Sequence, residues 1–196
     1  QQVKEPPPLI SKRLGGLVTA VAELQDKRLV MIMDVEKVLA DTGDFYDENA
    51  FEGIEKIENG KKYKVLYADD SNVARKQITQ TLDKLGVGHV GVVNGALAWK
   101  MLDKLATQCE QENRNITTEI QVVLTDVEMP EMDGYVLTQK IKADPRMAHL
   151  PVIMHSSLTA VANQAMGRGV GSDAYVSKFQ PRELAATIRG FIESTH

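Results

Sequence analysis

The chain has 196 residues, 23 basic against 27 acidic side chains and a formal net charge of -4. That length accommodates one α/β domain of ordinary size plus a smaller piece, and the absence of any basic block excludes a protein that tracks nucleic-acid phosphates. The single cysteine, Cys109, excludes an internal disulfide, and no stretch approaches the ~18 apolar residues of a spanning helix, so a cytoplasmic protein without direct membrane insertion is expected.

Pro6-Pro7-Pro8 forbids helix, and Gly15-Gly16 marks a break before the first apolar run. Leu17 to Leu24 (LVTAVAEL) and Arg28 to Asp34 (RLVMIMD) are strand candidates around a turn at Gln25-Asp26-Lys27, which together predict a hairpin. Asp34 is placed to cap a short helix over Val35 to Ala40. The acidic, glycine-containing stretch that follows reads as a linker over residues 43–62, dividing a 1–42 fragment from a domain over 63–196.

From Tyr63 the pattern becomes regular. KVLYA forms a compact apolar strand, and Asn72 to Leu85 carries Ala74, Ile78, Leu82 and Leu85 at helical spacing before Gly86. A strand near His89 to Val93 leads to a helix through Leu97, Met101 and Leu105, extended by the polar segment Thr107 to Glu119 as further helix or surface loop. Strand Val122 to Thr125 ends at Asp126. Helix Tyr135 to Ala143, strand Val152 to His155, helix Thr159 to Arg168, strand Ala174 to Val176 and helix Pro181 to Ile192 complete five β-α repeats. Strict alternation predicts a five-stranded parallel sheet with helices on both faces, and its ligand site lies beyond the carboxyl ends of the strands.

Those ends carry chemistry. Asp69 and Asp70 follow the first strand, Asp126 the third and Ser156 the fourth, while Lys178 comes two residues after the fifth. Carboxylates about 4 Å apart repel by about 4 kcal/mol at an effective dielectric of 20, so convergence calls for a cation. A small acidic pocket without His or Cys favours Mg²⁺. Asp126, alone at the end of the central strand, is the natural nucleophile toward phosphorus, with Ser156 as hydrogen-bond donor and Lys178 as fixed positive charge around the phosphoryl group.

The segments LYADDSNVARK, VVLTDVEMPEMDGY, PVIMHSS and DAYVSKF resemble the successive signatures of the response-regulator receiver family. The resemblance implies a flavodoxin-like (βα)5 fold with strand order 2-1-3-4-5. It implies Asp126 as phosphoacceptor, and Asp69, Asp70, Asp126 and the Glu128 backbone carbonyl as Mg²⁺ ligands. Ser156 and Tyr175 match the switch pair, Lys178 the phosphate-binding lysine, and Glu128 and Leu158 the positions that tune hydrolysis. One departure stands out: the family usually follows its lysine with proline, often through a cis bond, whereas this chain has Phe179 and places Pro181 two residues later.

The N-terminal run VTAVAELQDKRLVMIMDVEKVL resembles the last hairpin and short helix of a CheW-type coupling domain. A CheW-like fragment before a receiver is similar to the arrangement of the CheV family of chemotaxis proteins. That resemblance implies a CheA-type histidine kinase as phosphodonor, chemoreceptors and coupling proteins as partners, and a place at chemoreceptor arrays. The implied role is adaptation or a phosphate sink, with self-catalysed phosphotransfer and autodephosphorylation rather than metabolic turnover.

Plainer readings exist for each motif. Asp69-Asp70-Ser71 alone is an ordinary helix start and Asp133-Gly134 an ordinary turn; Lys178 alone is a surface lysine, and His155 is read as packing or solvent. Their joint order at successive strand ends decides for the receiver. The functional alternatives are an aspartate-nucleophile phosphatase of the haloacid-dehalogenase type, whose second acid would be Glu128, and a structural coupling protein that does not use phosphorylation.

Overall fold

The computed structural model describes residues 3–4, 18–24, 27–33, 48–157 and 161–194. The proline run, the Gly15-Gly16 break, the helix expected at 35–40 and Leu158 lie outside them. Two compact units emerge, Gln1–Asp47 and Glu48–His196.

In the first unit, β1 (Val3–Lys4), β2 (Val18–Glu23) and β3 (Leu29–Met33) form an antiparallel sheet in that order. The β2–β3 pair is the hairpin expected from the sequence, with Val21 opposite Met31 and a register irregularity between Val18 and Ala20. Val18 and Val21 are buried, whereas every residue of β3 is exposed, from Val30 at 42% to Leu29 at 64%. An outer strand of sequence LVMIM carries no charge to discourage pairing at its edge.

The second unit contains the five β-α repeats: β4 (Lys64–Ala68), α1 (Asn72–Leu85), β5 (Gly88–Val92), α2 (Gly95–Gln111), β6 (Val122–Thr125), α3 (Gly134–Ala143), β7 (Val152–Ser156), α4 (Val161–Gly169), β8 (Ala174–Ser177) and α5 (Pro181–Ser194). All sheet pairings are parallel, in the order β5-β4-β6-β7-β8, which is the 2-1-3-4-5 order implied by the receiver resemblance. Alternate residues of each strand feed opposite cores. Val65, Tyr67, Val122, Leu124 and Ile153 pack with α1 and α5, and Leu66, Ala68, Val123 and Val152 pack with α2 and α3. Each fully buried aliphatic side chain contributes about 1.5–3 kcal/mol, so the sheet is held from both faces and its carboxyl ends are fixed in register.

The helix boundaries follow local chemistry. Ser71 accepts from Ala74 N–H at the start of α1, and Gly86, at φ 73, closes it. Asn94 caps α2 through Leu97 N–H and Asp133 caps α3 through Val136 N–H. The extension after Leu105 is helical to Gln111, then turns through a 3₁₀ segment at Ile116–Thr118.

The linker reading of 43–62 needs correction from Glu48 onward. Two short 3₁₀ turns, Glu48–Phe51 and Gly60–Lys62, lay this segment on the α1–α5 side of the sheet unit. Phe51 and Ile57 are buried, and Ile57 joins the core beside Leu85 and Ile188. Ile57 N–H donates to Leu85 O at 2.9 Å, Arg182 Nη2 donates to Asn49 O at 2.8 Å, and Arg189 Nη2 donates to Glu55 O. Gly60 is required by contact: a β-carbon there would sit 2.7 Å from Gly86 O. The compact unit therefore begins at Glu48 rather than Tyr63. No helix among the described residues is long and apolar enough to cross a membrane.

Candidate phosphoryl-transfer site

The parallel register brings β5, β4 and β6 to a common end, since Asp69 N–H donates to Val92 O of β5 at 3.2 Å and Asp126 N–H to Ala68 O of β4 at 2.8 Å. The alternation that sends Val65 and Tyr67 to one face also sends Asp69 there, just beyond the last rung of the ladder. Asp69, Asp70 and Asp126 thus each offer a carboxylate oxygen, all within 4.8 Å of one another. Asp69 and Asp126 are buried, and Asp70 is exposed.

Each buried carboxylate has defined contacts. Asp126 Oδ1 accepts from Val127 N–H at 2.7 Å and Oδ2 from Lys178 Nζ at 2.9 Å. Asp69 Oδ1 accepts from Ser71 N–H at 2.9 Å, and Arg75 Nη1 donates to Asp69 O at 2.7 Å. Asp69 Oδ2 makes no well-formed hydrogen bond among the described residues, although the Lys178 ammonium stands 3.2 Å away as a charge partner. The side chain of Lys178 is 1% exposed, so this cation is held inside the pocket.

Burial pushes the Asp69 carboxyl up to about 7, against the pull of Lys178 and with the added repulsion of Asp126; the Ser71 N–H lowers it somewhat. Carboxylate charges at 4.8 Å repel by at least about 3 kcal/mol at an effective dielectric near 20. One ammonium does not fully offset three carboxylates. The donors are all hard oxygens, and one buried carboxylate oxygen lacks a hydrogen bond, so the residues fit a hard divalent cation.

The other residues singled out in the sequence lie around this cluster. Ser156 is buried at the end of β7, where its carbonyl accepts from Lys178 N–H at 3.0 Å. Tyr175 is half-buried in β8, in register with Met154. Glu128 is exposed and lines an open cleft of about 510 Å³ with Asp70, Val127, Met129, Asp133, Tyr135 and Met166. The Lys178–Phe179 bond is trans, as no cis peptide occurs among the described residues, and Phe179 has φ 64.

Thr125 and Arg75 were not singled out in the sequence, whereas Gly134 was read there only as part of a turn and His155 as packing or solvent. Gly134 packs on the Asp126 carbonyl with no room for a β-carbon, 2.0 Å being the distance one would have. Its Asp-Gly dipeptide signals a turn but not this approach. Thr125 Oγ1 donates to the same carbonyl at 2.9 Å. His155 is 1% exposed, in agreement with a packing role; burial, and secondarily the charge of Lys178, bring its imidazole down to about 3. No periodic signal marks either Arg75 or Thr125 as a neighbour of the carboxylates.

A parallel 2-1-3-4-5 sheet with an acidic cluster and a buried lysine at its carboxyl end is the arrangement that the receiver resemblance implies. Residues 65–189 match the response regulator receiver domain family, and the chain belongs to that family. It is 31% identical over 171 residues to chemotaxis protein CheV1 of Helicobacter pylori, an alignment covering 86% of the chain and 50% of CheV1. The chain therefore spans about half the length of the curated relatives of this type. It is also 33% identical to chemotaxis protein CheY1 of H. pylori, across 62% of the chain and 90% of CheY1. Among solved structures, the receiver domain of the Arabidopsis thaliana histidine kinase CKI1, complexed with Mg²⁺ and BeF₃⁻, matches with a TM-score of 0.61 at 27% identity, covering 69% of this chain and 93% of that one.

Proposed function

We propose that the 48–194 unit accepts a phosphoryl group on Asp126 from a phosphohistidine of a CheA-type histidine kinase, and that the whole protein is a CheV-like chemotaxis component in which this event alters coupling between receptors and kinase. The observation that carries the reading is the position of Asp126: at the end of the central strand, within 4.8 Å of the Asp69 and Asp70 carboxylates and 2.9 Å from the Lys178 ammonium.

In the transfer, an Asp126 carboxylate oxygen forms the new bond to phosphorus as the phosphorus–nitrogen bond of the donor breaks, and the departing imidazole retains that electron pair. Lys178 offsets negative charge on the phosphoryl oxygens, and Ser156 donates a hydrogen bond to one of them. Asp69, Asp70, Asp126 and the Glu128 carbonyl would hold Mg²⁺, which when bound would supply further neutralisation of the phosphoryl charge. Glu128, beside Asp70 in the open cleft, borders the approach of water and so tunes the lifetime of the acyl phosphate; Leu158 is assigned the same influence by the family resemblance alone. Engagement of Ser156 by the phosphoryl group biases Tyr175 in β8, and with it the surface presented to partners.

The antiparallel β2–β3 hairpin and its exposed outer strand support assignment of residues 1–42 to the end of a CheW-like coupling domain. The corresponding partners are chemoreceptors and coupling proteins, at cytoplasmic arrays. Incubating the protein with phosphorylated kinase or acetyl phosphate and Mg²⁺ tests the phosphoacceptor reading: wild type acquires an acid-stable, base-labile phosphoryl group and Asp126→Asn does not. Equal labelling of the two would remove Asp126 from the role. Steady turnover of small phosphomonoesters would favour the phosphatase alternative.

A further inference from the structure

The connection from β8 to α5 is unusually constrained. Lys178 is tied to the sheet because its N–H donates to Ser156 O at 3.0 Å. Three residues on, Pro181 opens α5, a position that suits the fixed φ of proline, and the proline ring biases the preceding Gln180 toward extended backbone. The Gln180 carbonyl already accepts the first helical bond, from Leu184 N–H at 3.0 Å. The reversal from strand to helix consequently falls on Phe179, whose φ of 64 lies in the left-handed region. For a residue with a β-carbon that conformation costs roughly 1–2 kcal/mol, and such strain persists where the surroundings hold it.

What the turn delivers is the direction of the preceding side chain. Lys178 must run back into the pocket, with Nζ 2.9 Å from Asp126 Oδ2 and 3.2 Å from Asp69 Oδ2, instead of continuing outward from the strand end. The family's usual proline cannot replace Phe179 in this geometry, because its ring fixes φ near −65°.

We propose that the left-handed backbone at Phe179 is the positioning element that aims Lys178 at Asp126, through a trans bond and a positive φ. The inference rests on the reading of Lys178 given above. It concerns backbone conformation rather than the phenyl ring, so glycine, which adopts positive φ without penalty, substitutes for Phe179, whereas valine and proline do not.

The test uses the full chain with Phe179→Gly, Phe179→Val and Phe179→Pro, each alone and combined with Lys178→Ala. Acyl-phosphate formation from acetyl phosphate with Mg²⁺, urea midpoints and the NMR signal of the buried Lys178 ammonium are followed. Phe179→Gly is expected to stay within about twofold of wild type and to keep the ammonium signal. Phe179→Val and Phe179→Pro are expected to form acyl phosphate on the order of tenfold more slowly, as misplacement of a charged group near the reacting atoms does, and to lose the signal. With Lys178→Ala in place, neither slows the reaction further. The valine variant decides the matter if the proline variant does not fold.

Wild-type rates and an intact ammonium signal in the valine variant would overturn the proposal, as would a loss in the glycine variant equal to that in valine. An equal slowing with and without Lys178 would mean a general structural effect, which also overturns it. A wild-type protein that takes up no phosphoryl group would refute the phosphoacceptor reading, and the ammonium signal would still decide the role of Phe179.

Discussion

Gly134 lies against the carbonyl oxygen of Asp126 so closely that a β-carbon would sit 2.0 Å from it. The contact joins the first residue of α3 to the acceptor's own backbone, and Gly134 N–H also donates to Val127 O at 2.9 Å. Gly134→Ala therefore has to displace backbone, which costs about 1–3 kcal/mol by overpacking. Urea unfolding is expected to show that loss, together with slower phosphorylation because Asp126 moves. An alanine variant as stable as wild type would contradict the packing.

Asp69 gives the site a pH dependence with a definite sign. Its carboxyl rises to about 7 in the folded protein from an ordinary 3.8, so between those values the folded state holds the extra proton. Its contribution to stability is greatest at low pH and falls as pH rises toward 7. A metal ligand must be ionised; Mg²⁺ binding is accordingly expected to be about tenfold weaker at pH 6 than at pH 8, with little change above that. Calorimetric titration at the two pH values checks this. Equal affinity at both would contradict an Asp69 that titrates near 7.

His155 acts in the opposite direction. With its imidazole lowered to about 3 from 6.5 by burial first and Lys178 second, the unfolded chain takes up the proton and the folded one does not, so stability from this group is lost as pH falls below 6.5. Its Nδ1 has no hydrogen bond among the described residues, and an apolar residue of similar size removes an unsatisfied polar atom. His155→Leu is expected to be at least as stable as wild type at pH 7 and to lose less stability between pH 7 and pH 5. Identical losses would contradict the account; because Asp69 is common to both proteins, the comparison isolates His155.

The segment before β4 is part of the folded unit. Ile57 is 7% exposed within the α1–α5 core, and Ile57→Ala is expected to cost about 2–5 kcal/mol. A flexible linker would lose almost nothing, and the urea midpoint distinguishes the two.

The five β-α repeats were legible because apolar strands and helical spacing alternate without interruption from Tyr63. The acidic ends could be placed because ligands of an open α/β sheet bind beyond the carboxyl ends of its strands, where Asp69, Asp70 and Asp126 follow the apolar runs. Residues 48–62 escaped that reading for the opposite reason: only Phe51 of the apolar residues Phe51, Ile54 and Ile57 lies in a 3₁₀ turn, and the stretch is too short to show a period and surrounded by acidic residues that look like solvent-exposed chain. Phe179 escaped it because a left-handed φ arises from the two neighbours, Lys178 bonded into the sheet and Pro181 opening a helix, and not from phenylalanine itself. The closeness of Gly134 to Asp126 is likewise tertiary, since Asp-Gly reads as a turn in any sequence.

The most direct test of the central claim is the mass and lability of the product formed when phosphorylated histidine kinase, Mg²⁺ and the full chain are combined, with the modified residue located by trapping and peptide mapping. A single base-labile phosphoryl group on Asp126, formed with Mg²⁺ and absent when the metal is chelated, is the predicted result. Phosphorylation elsewhere, or undiminished transfer to Asp126→Asn, would contradict it.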